Sequence, residues 1–376
     1  MIAPDSEEGL AEALRLAERP LLVQGNGTKS GMLRPVQAGA TLSTGNLAGV
    51  TLYAPKELVI SAKAGTRLSE IENLLAANGQ HLIAEPSHFF GEDQTIGGVV
   101  ASNLSGPRRV MGGAMRDHLL GVRAVNGKGE ILKFGGRVLK NVTGLDLCKL
   151  LAGSHGTLAV ITEVTLKVLP MPEATATILL RNLDAMHGVE ALSAGLGSPF
   201  SVSAAAYLPA EKMAALRIED FAPSVKYRCE KLGAELGKTF GSAEILGNAG
   251  SVEFWRGVRD CKMLDMGDAV WRISVPPSAG PGVLAAAERL GVTGFLDWGG
   301  GLIWLSGPAE AAVHDAICAA ARAAGGVWWL MRAPAPFRAA VDVMPPEPPV
   351  LAEIAKRVKQ SFDPRGILNP GRLRAA

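Results

Sequence analysis

The segment that decides the fold is GGRVLKNVTGLDLCKLLAGSHGTLAVITEVTLKVLP, residues 135–170. Its last third, LAVITEVTLKVLP, has the β-branched composition of a strand. Across the whole segment, several glycines and polar residues stand at spacings that no hydrophobic core requires. They are Lys140, Asn141, Gly144, Asp146, Gly153, Ser154, Gly156, Thr157, Thr162 and Glu163. The pattern therefore indicates a functional requirement in addition to packing.

Two glycine-rich loops precede this segment. The first, QGNGTKSG at 24–31, follows the short strand Leu21–Val23 and lets the backbone approach a pyrophosphate closely. It is not a Rossmann turn, because its third glycine, Gly31, stands one place too late and no helical pattern follows. The second, EDQTIGGVVASNLSGPRR at 92–109, supplies hydroxyls and backbone N–H groups that could wrap a diphosphate without a metal. Taken alone, the first loop is also typical of a surface turn, and the second of a connector.

Together these segments resemble the FAD-binding domain of the p-cresol methylhydroxylase and vanillyl-alcohol oxidase superfamily. The resemblance runs from Pro20 to Pro170 and includes both loops, the pair Arg116-Asp117, the K-N-x-x-G-x-D run and the G-S-x-G-T-L-x-V-I-T-E run. It implies an α+β fold in which a PCMH-type FAD-binding domain of two subdomains is followed by a smaller cap domain. Covalent members usually place a histidine or cysteine in these loops, and neither loop has one, so the expected cofactor is non-covalent FAD.

Segments outside this domain narrow the resemblance to one branch. The tail DPRGILNPGR at 363–372 is similar to that of the glycolate and D-lactate oxidising branch, where it returns to the FAD domain. GPRR at 106–109, VWRISVP at 270–276 and DWGGGLIWL at 297–305 look most like the FAD-binding E subunits of glycolate oxidases. This likeness implies a related D-type flavoprotein subunit and an iron–sulfur subunit as partners, and glycolate, a small 2-hydroxy acid, as substrate.

The resemblance also assigns cofactor-binding residues. The two loops would hold the pyrophosphate, the G-S-x-G run and Ile161 would face the ribose and adenine, and Asn369 would lie near the isoalloxazine. The full expected set is Gly25, Asn26, Gly27, Thr28, Lys29, Thr95, Gly97, Gly98, Ser102, Asn103, Ser105, Gly106, Arg116, Asp117, Lys140, Asn141, Gly153, Ser154, Gly156, Thr157, Ile161 and Asn369.

No catalytic residue and no metal site can be named. The D-type subunits of the branch carry a histidine-rich metal motif, whereas the six histidines here form no H-x-H pair or tight cluster. His155 is expected to be packed or solvent-facing, and His88 is a weak candidate for the flavin edge. Arg272, next to Trp271, and the pair Asp297-Trp298 could line a carboxylate pocket. Such residues are equally common at interfaces, and we favour interface or packing for them.

The pattern along the chain predicts three parts: an FAD-binding domain at 1–172, a cap at 173–349 and a C-terminal helix and tail at 350–376. Between Trp271 and Met331 the order is β-α-β-β-α-β, typical of a ferredoxin-like sandwich. An extended connector is expected at 334–349, and the last helix should turn Leu351, Ile354, Ala355 and Val358 inward. No internal repeat of fixed period is found.

Composition excludes several classes of function. The formal net charge of +2 gives no broad attraction to nucleic acid or anionic lipid. Apolar stretches are too short to span a bilayer, and the first residues lack the pattern of a secretory signal, so a cytoplasmic location is expected, with attachment to the inner face of the membrane only through the complex. The four cysteines are far apart and form no CxxC pair. Electrons must therefore leave through oxygen, a quinone or another subunit.

The expected function is FAD-dependent oxidation of glycolate to glyoxylate as part of a complex, with hydride moving from C2 to the flavin. Two alternatives stay open. One is a self-sufficient oxidase or dehydrogenase for another 2-hydroxy acid, such as D-lactate. The other is a scaffold subunit that retains the FAD fold; the two intact glycine loops count against it, because such loops are unfavourable for stability without a ligand.

Overall fold

A computed structural model describes residues 1–137 and 146–375 of the chain. The described residues before residue 173 contain five α-helices and nine strands. In chain order these are α1 (Glu7–Arg15), β1 (Leu21–Gln24), β2 (Ala40–Ser43), β3 (Val50–Ala54), β4 (Val59–Lys63), α2 (Leu68–Ala76), β5 (Gln80–His81), α3 (Ile96–Ser102), α4 (Arg109–Gly112), β6 (Leu119–Asn126), β7 (Ile131–Gly135), α5 (Leu147–Leu151), β8 (Ala159–Lys167) and β9 (Leu169–Pro170).

The part from residue 173 onward contains eight strands and seven helices in the described chain. They are β10 (Ala174–Leu180), α6 (Ala185–Leu196), β11 (Ala204–Leu208), β12 (Met213–Asp220), α7 (Ala222–Phe240), β13 (Ala243–Leu246), α8 (Asn248–Arg259), β14 (Ala269–Ser274), α9 (Gly280–Glu288), β15 (Thr293–Asp297), β16 (Leu302–Gly307), α10 (Ala311–Ala323), β17 (Val327–Arg332), α11 (Ala335–Ala340) and α12 (Pro349–Phe362).

The first domain is built on a five-stranded antiparallel sheet in the order β3-β4-β8-β6-β7. Helix α2 buries Leu68, Ile71 and Leu75, which recur at helical spacing, in the core beneath this sheet. A hairpin at Asn126-Gly127 joins β6 to β7, with Asn126 N–H donating to the Glu130 carbonyl. The second glycine-rich loop contains a helix, α3, because Thr95 caps a segment whose Ile96, Val99 and Val100 all turn inward.

A second, smaller layer joins the two ends of the chain. Strands β1 and β2 pair in parallel, and the cap residue of α1 is Ser6, whose hydroxyl accepts from Gly9 N–H. Leu10 and Leu14 of α1 pack with Leu21 of β1 and with Leu368 of the C-terminal tail. The tail lies beside β1, where Leu21 N–H donates to the Ile367 carbonyl. Residues from both termini therefore build the wall that carries the first glycine-rich loop.

The cap contains one eight-stranded antiparallel sheet in the order β13-β10-β12-β11-β15-β16-β14-β17. The predicted β-α-β-β-α-β order is present in its second half, from β14 to β17, and the same order occurs in its first half, from β10 to β13. The two halves meet where Tyr207 of β11 pairs with Leu296 of β15. The two units share an element order and not a residue period, which explains why the sequence has no visible repeat. The cap, expected to be the smaller domain, thus contains the largest sheet.

The two faces of the cap sheet have different partners. Leu216 of β12 contacts Gly195 of α6, and Trp271 of β14 donates to His314 of α10, so this face carries the helices. Because side chains alternate along a strand, Arg217 and Arg272 point the other way, toward the first domain. Helices therefore cover one face, and the glycine-rich loops lie near the other.

A buried ion network joins the domains. Arg217 of the cap donates both terminal nitrogens to Glu85, at 2.9 and 2.8 Å, while Arg108 donates to Glu219 of the cap at 3.1 and 2.8 Å. Burial alone would raise the pKa of Glu85, but Arg217 and Arg108 hold it well below its ordinary value. Each domain thus gives one arginine and one carboxylate, which fixes their relative orientation.

Two predictions about the C-terminal region are wrong. The connector at 334–349 is not wholly extended, since it contains α11. Helix α12 exposes its apolar side chains: Val350 is 72%, Leu351 53% and Ile354 50% accessible. The amphipathic pattern of α12 predicts that one side is apolar, but it does not predict which part of the protein covers that side. Only the C-terminal end of α12, through Phe362, packs on the first domain. In the described parts of the chain, no helix combines the length and apolarity needed to cross a membrane.

Candidate functional site

A cleft of about 270 Å³ opens between the two glycine-rich loops and the end of β8. Most of the predicted cofactor residues line it. These are Gly25, Asn26, Gly27, Thr28, Lys29, Thr95, Gly97, Gly98, Ser102, Gly156, Ile161 and Asn369. Every residue of its wall belongs to the first domain or to the C-terminal tail.

The first loop needs glycine at two positions for different reasons. A Cβ on Gly25 would lie 2.2 Å from the Thr95 hydroxyl, so the two loops touch only because residue 25 has no side chain. Gly27 has φ +72°, a conformation that L side chains rarely adopt. Asn26 then ties the loop to the second one by donating to the Asp93 carbonyl at 2.9 Å. The backbone of residues 25–27 is thereby held at the mouth of the cleft.

The two adjacent glycines of the second loop have separate roles. A Cβ on Gly97 would lie 2.6 Å from the Cβ of Ala64, which makes Gly97 a packing residue of α3. A Cβ on Gly98 would meet only the Thr95 hydroxyl at 3.3 Å and the Lys29 ammonium at 3.8 Å. Because Gly98 has no side chain, the cleft stays open beside the Lys29 ammonium.

Two cations that face the cleft have no carboxylate partner within residues 1–137 and 146–375. Lys29 donates to the Gln94 amide oxygen at 2.7 Å, and burial lowers its pKa to about 7. Arg372 donates to the Lys29 carbonyl at 2.8 Å, and burial, with Arg338 nearby, lowers its pKa to about 10. Neither forms an ion pair with a carboxylate of the described residues, and residues 138–145 contain no Asp or Glu. The cleft is thus suited to an anion.

The segment at 135–170 and the C-terminal tail form the rest of the cleft wall. Asn369 accepts from Val23 N–H at 2.7 Å and donates to the carbonyls of Val23 and His155 at 3.1 and 2.9 Å. Its amide is fully used in holding the tail against β1, so it shapes the wall. His155 has φ +53° and faces the cleft. Burial, together with Arg372 and Lys29, lowers the pKa of His155 to about 3, so its imidazole is neutral near pH 7.

The other predicted residues lie elsewhere. Asn103, Ser105, Arg116 and Gly153 line a neighbouring cavity, and Gly106 accepts a hydrogen bond from Trp298 at the domain boundary. Asp117 accepts from Ala114 N–H and so stabilises a turn, and Thr157 donates to the Ser154 carbonyl. Lys140 and Asn141 lie outside the described residues. His88, the weak candidate for the flavin edge, pairs with Glu72 at 2.8 Å and lines neither cavity.

The neighbouring cavity, called here the interdomain cavity, has a volume of about 350 Å³. The first domain contributes Arg109, Arg116 and Asn103, and the cap contributes Arg272, Trp298 and Trp329. Ser102 and His155 line both cavities, so the two adjoin at these residues. The sequence analysis favoured interface or packing for Arg272 and Trp298. The structure places both at the domain boundary and in a cavity wall.

The aromatic residues of this cavity hold its arginines. The guanidinium carbon of Arg272 lies 4.9 Å from the ring centre of Trp298 and 5.2 Å from that of Trp329, and Arg109 lies 4.6 Å from Trp298. Trp298 itself has φ +53°, which is strained for a bulky residue. Its indole N–H donates to Gly106, and its backbone N–H to Asp297, which keeps it in that conformation.

The first cleft fits an FAD diphosphate by its donor set. Backbone N–H groups at two glycine-containing loops, a hydroxyl at Thr95 and two cations with no ion pair among the described residues surround a space beside Gly98. Such a combination binds phosphate oxygens without a metal. Among the described residues no group of three or more His, Cys, Asp or Glu side chains could hold a metal ion.

Comparison with known proteins agrees with this geometry. Residues 1–135 match a family described as FAD binding domain. The chain is 36% identical to the glycolate oxidase subunit GlcE of Escherichia coli over 99% of this chain and 98% of that protein. It is 34% identical to a D-lactate dehydrogenase of Archaeoglobus fulgidus over 45% of this chain and 38% of that protein. An alkyldihydroxyacetonephosphate synthase has the same fold, with a TM-score of 0.72 at 18% identity, covering 98% of this chain and 75% of that one.

The similarity to the E. coli protein covers the FAD domain, the cap and the tail alike, which confirms the resemblance drawn from the sequence. The chain belongs to the family of the glycolate oxidase subunit GlcE.

Proposed function

We propose that this chain is the FAD-carrying subunit of a glycolate oxidase complex and takes part in the oxidation of glycolate to glyoxylate. The observation that carries the proposal is the cleft with two unpaired cations, in a chain similar over its whole length to a glycolate oxidase subunit. FAD, when bound, supplies a hydride acceptor for an alcohol carbon. The binding residues predicted from the sequence keep this role as part of the proposal.

The chain's own residues would position and tune the cofactor. Lys29 and Arg372 would neutralise the diphosphate, and the backbone near Gly25 and Gly98 would donate to its oxygens. We expect the cofactor to be non-covalent, since neither glycine-rich loop contains a histidine or cysteine. His155 is the one histidine of the described chain that lines the cleft, so flavin that stays with the denatured protein would point to this side chain.

Partners are part of the proposal. Relatives of this chain are named as glycolate oxidase subunits GlcE and GlcD, which indicates a complex of several subunits. We propose that a D-type flavoprotein and an iron–sulfur subunit accept the electrons, and that the complex acts in the cytoplasm or at the inner face of the membrane. The four cysteines of this chain are all buried free thiols, with no pairing among them.

The test is expression of the chain alone, and together with a D-type and an iron–sulfur subunit, followed by glycolate-dependent reduction of an artificial dye. We expect slow or no turnover by the isolated chain and robust turnover by the complex. A complex assembled with Gly98→Val should lose activity while keeping its subunits together. Robust turnover by the isolated chain would favour a self-sufficient oxidase, and full activity of the Gly98→Val complex would favour a scaffold role.

A further inference from the structure

The arginines at the domain boundary fall into two groups. Arg108 and Arg217 form bidentate pairs with Glu219 and Glu85. Arg109 and Arg272 form no ion pair with any carboxylate of the described residues, although both are partly or wholly enclosed. Residues 138–145 contain no Asp or Glu that could serve them. Among the described residues, the arginines of the domain contact are thus neutralised by carboxylates, whereas Arg109 and Arg272 of the interdomain cavity have no carboxylate partner.

Both guanidiniums lie against the same indole, that of Trp298, and both line the interdomain cavity. Burial and the neighbouring Arg109 lower the pKa of Arg272 to about 10 against the smaller opposing effect of Asp297, and Arg272 stays charged at neutral pH. Two enclosed like charges are unfavourable unless an anion joins them. Trp298 is kept in a strained conformation to maintain this arrangement, and strain of this kind is concentrated at functional sites.

From this arrangement we infer that the interdomain cavity binds the carboxylate of a small hydroxy acid through Arg109 and Arg272. Guanidinium donors match a carboxylate in geometry as well as charge. The indoles of Trp298 and Trp329 and the side chain of Met331 supply apolar walls for the rest of a short acid. Ser102 and His155 place this acid next to the cleft. The inference rests on the proposed function and deepens it, since it gives this chain an acid site of its own.

The experiment measures the binding of oxalate, a two-carbon dicarboxylate that cannot be oxidised as an alcohol, to the FAD-loaded chain by titration calorimetry. Glycolamide, which has the hydroxyl of glycolate but no carboxylate, is the neutral comparison. We expect oxalate to bind and glycolamide not to. Arg272→Met and Arg109→Met should each weaken oxalate binding by about tenfold or more, because each removes a charge-assisted contact. Arg272→Lys should bind with intermediate affinity, since it keeps the charge but loses the planar fork.

The matched control is Arg289→Met, at an exposed arginine that follows α9 far from the cavity wall, and it should leave oxalate binding unchanged. Flavin absorbance of every variant reports whether the FAD site is intact. Oxalate affinity within threefold of the unmodified chain in both Arg109→Met and Arg272→Met, with FAD retained, would overturn the inference, as would an unmodified FAD-loaded chain that does not bind oxalate. Lack of FAD in the unmodified chain would instead contradict the proposed function.

Discussion

The FAD cleft and the interdomain cavity share two residues but are built in opposite ways. The cleft is formed by backbone, glycines and short polar side chains of the first domain and the tail, and no cap residue lines it. The interdomain cavity is formed by large side chains, three arginines and two tryptophans among them, and five of its lining residues come from the cap. The cleft should therefore tolerate changes in domain orientation, whereas the interdomain cavity should not.

The variant with the largest expected effect should act differently on the FAD cleft and on the interdomain cavity. Glu85→Gln leaves Arg217 and Arg108 with one carboxylate between them, and loss of one partner from a buried ion network destabilises a protein by about 3–5 kcal/mol. We expect this loss in urea unfolding, together with lost oxalate binding and little change in FAD affinity. Glu57→Gln, at an exposed glutamate without an ion pair in the described chain, is the control. Equal loss of FAD and oxalate would show that the cleft also depends on domain orientation.

Gly98→Val tests the cleft alone. The added side chain points into the space beside Lys29, and we expect FAD affinity to fall by about 100-fold. Valine favours a helix more than glycine does, so the variant should fold. FAD titration by fluorescence quenching measures the effect, with Gly282→Val on the open side of α9 as control. His155→Ala, which removes volume from the same wall, should change the affinity less than threefold; a loss as large as that in Gly98→Val would mean that the loop assignment is wrong.

Lys29 should make FAD binding depend on pH. Its pKa is about 7 in the free cleft, and a diphosphate nearby would raise it, so binding above pH 7 must be accompanied by proton uptake. FAD affinity should therefore fall as pH rises from 7 to 9. Lys29→Met should weaken binding by about tenfold at pH 6.5 and remove this slope. Lys56→Met, at an exposed lysine, should retain the slope of the unmodified chain; an unchanged slope in Lys29→Met would assign the proton to another group.

The same contrast explains how much could be predicted from the sequence. The cleft could be predicted because its requirements are local: Gly27 needs a positive φ, Gly25 must leave room for Thr95, and Thr95 caps the helix after it. The interdomain cavity could not, because Arg109, Arg272, Trp298 and Trp329 come from distant segments and only the orientation of the domains brings them together. The sequence around Arg272 alone does not distinguish a residue that lines a pocket from one that packs in an interface.

The cap gives a further case. Its second half was predicted because short apolar segments rich in aromatic and β-branched residues, such as WRISV and GLIWLS, alternate with helical patterns. In the first half, AAAYL of β11 and MAALRI of β12 are buried on both faces and alternate little, so they carry no strand signal of period two. The prediction that α12 buries its apolar side was wrong for the opposite reason. Its periodicity is strong, but burial of its apolar side depends on a neighbour that periodicity cannot specify.

The smallest expected effect concerns His155, which belongs to both cavities. In the folded chain its pKa is about 3, because of burial and the nearby Arg372 and Lys29, whereas an unfolded chain has an ordinary value near 6.5. A depressed histidine pKa means that the unfolded state binds more protons once the pH falls below about 6.5, so the folded state loses stability there. Since the side chain is only half-buried, we expect about 1 kcal/mol of this loss between pH 7 and pH 5.

His155→Gln cannot titrate and should lose correspondingly less stability in urea unfolding of the FAD-free chain at the two pH values. His187→Gln, at an exposed histidine, should behave as the unmodified chain does. If His155→Gln loses as much stability as the unmodified chain, the imidazole at the junction of the cavities is protonated in the folded state, and the two sites are connected by a charged group.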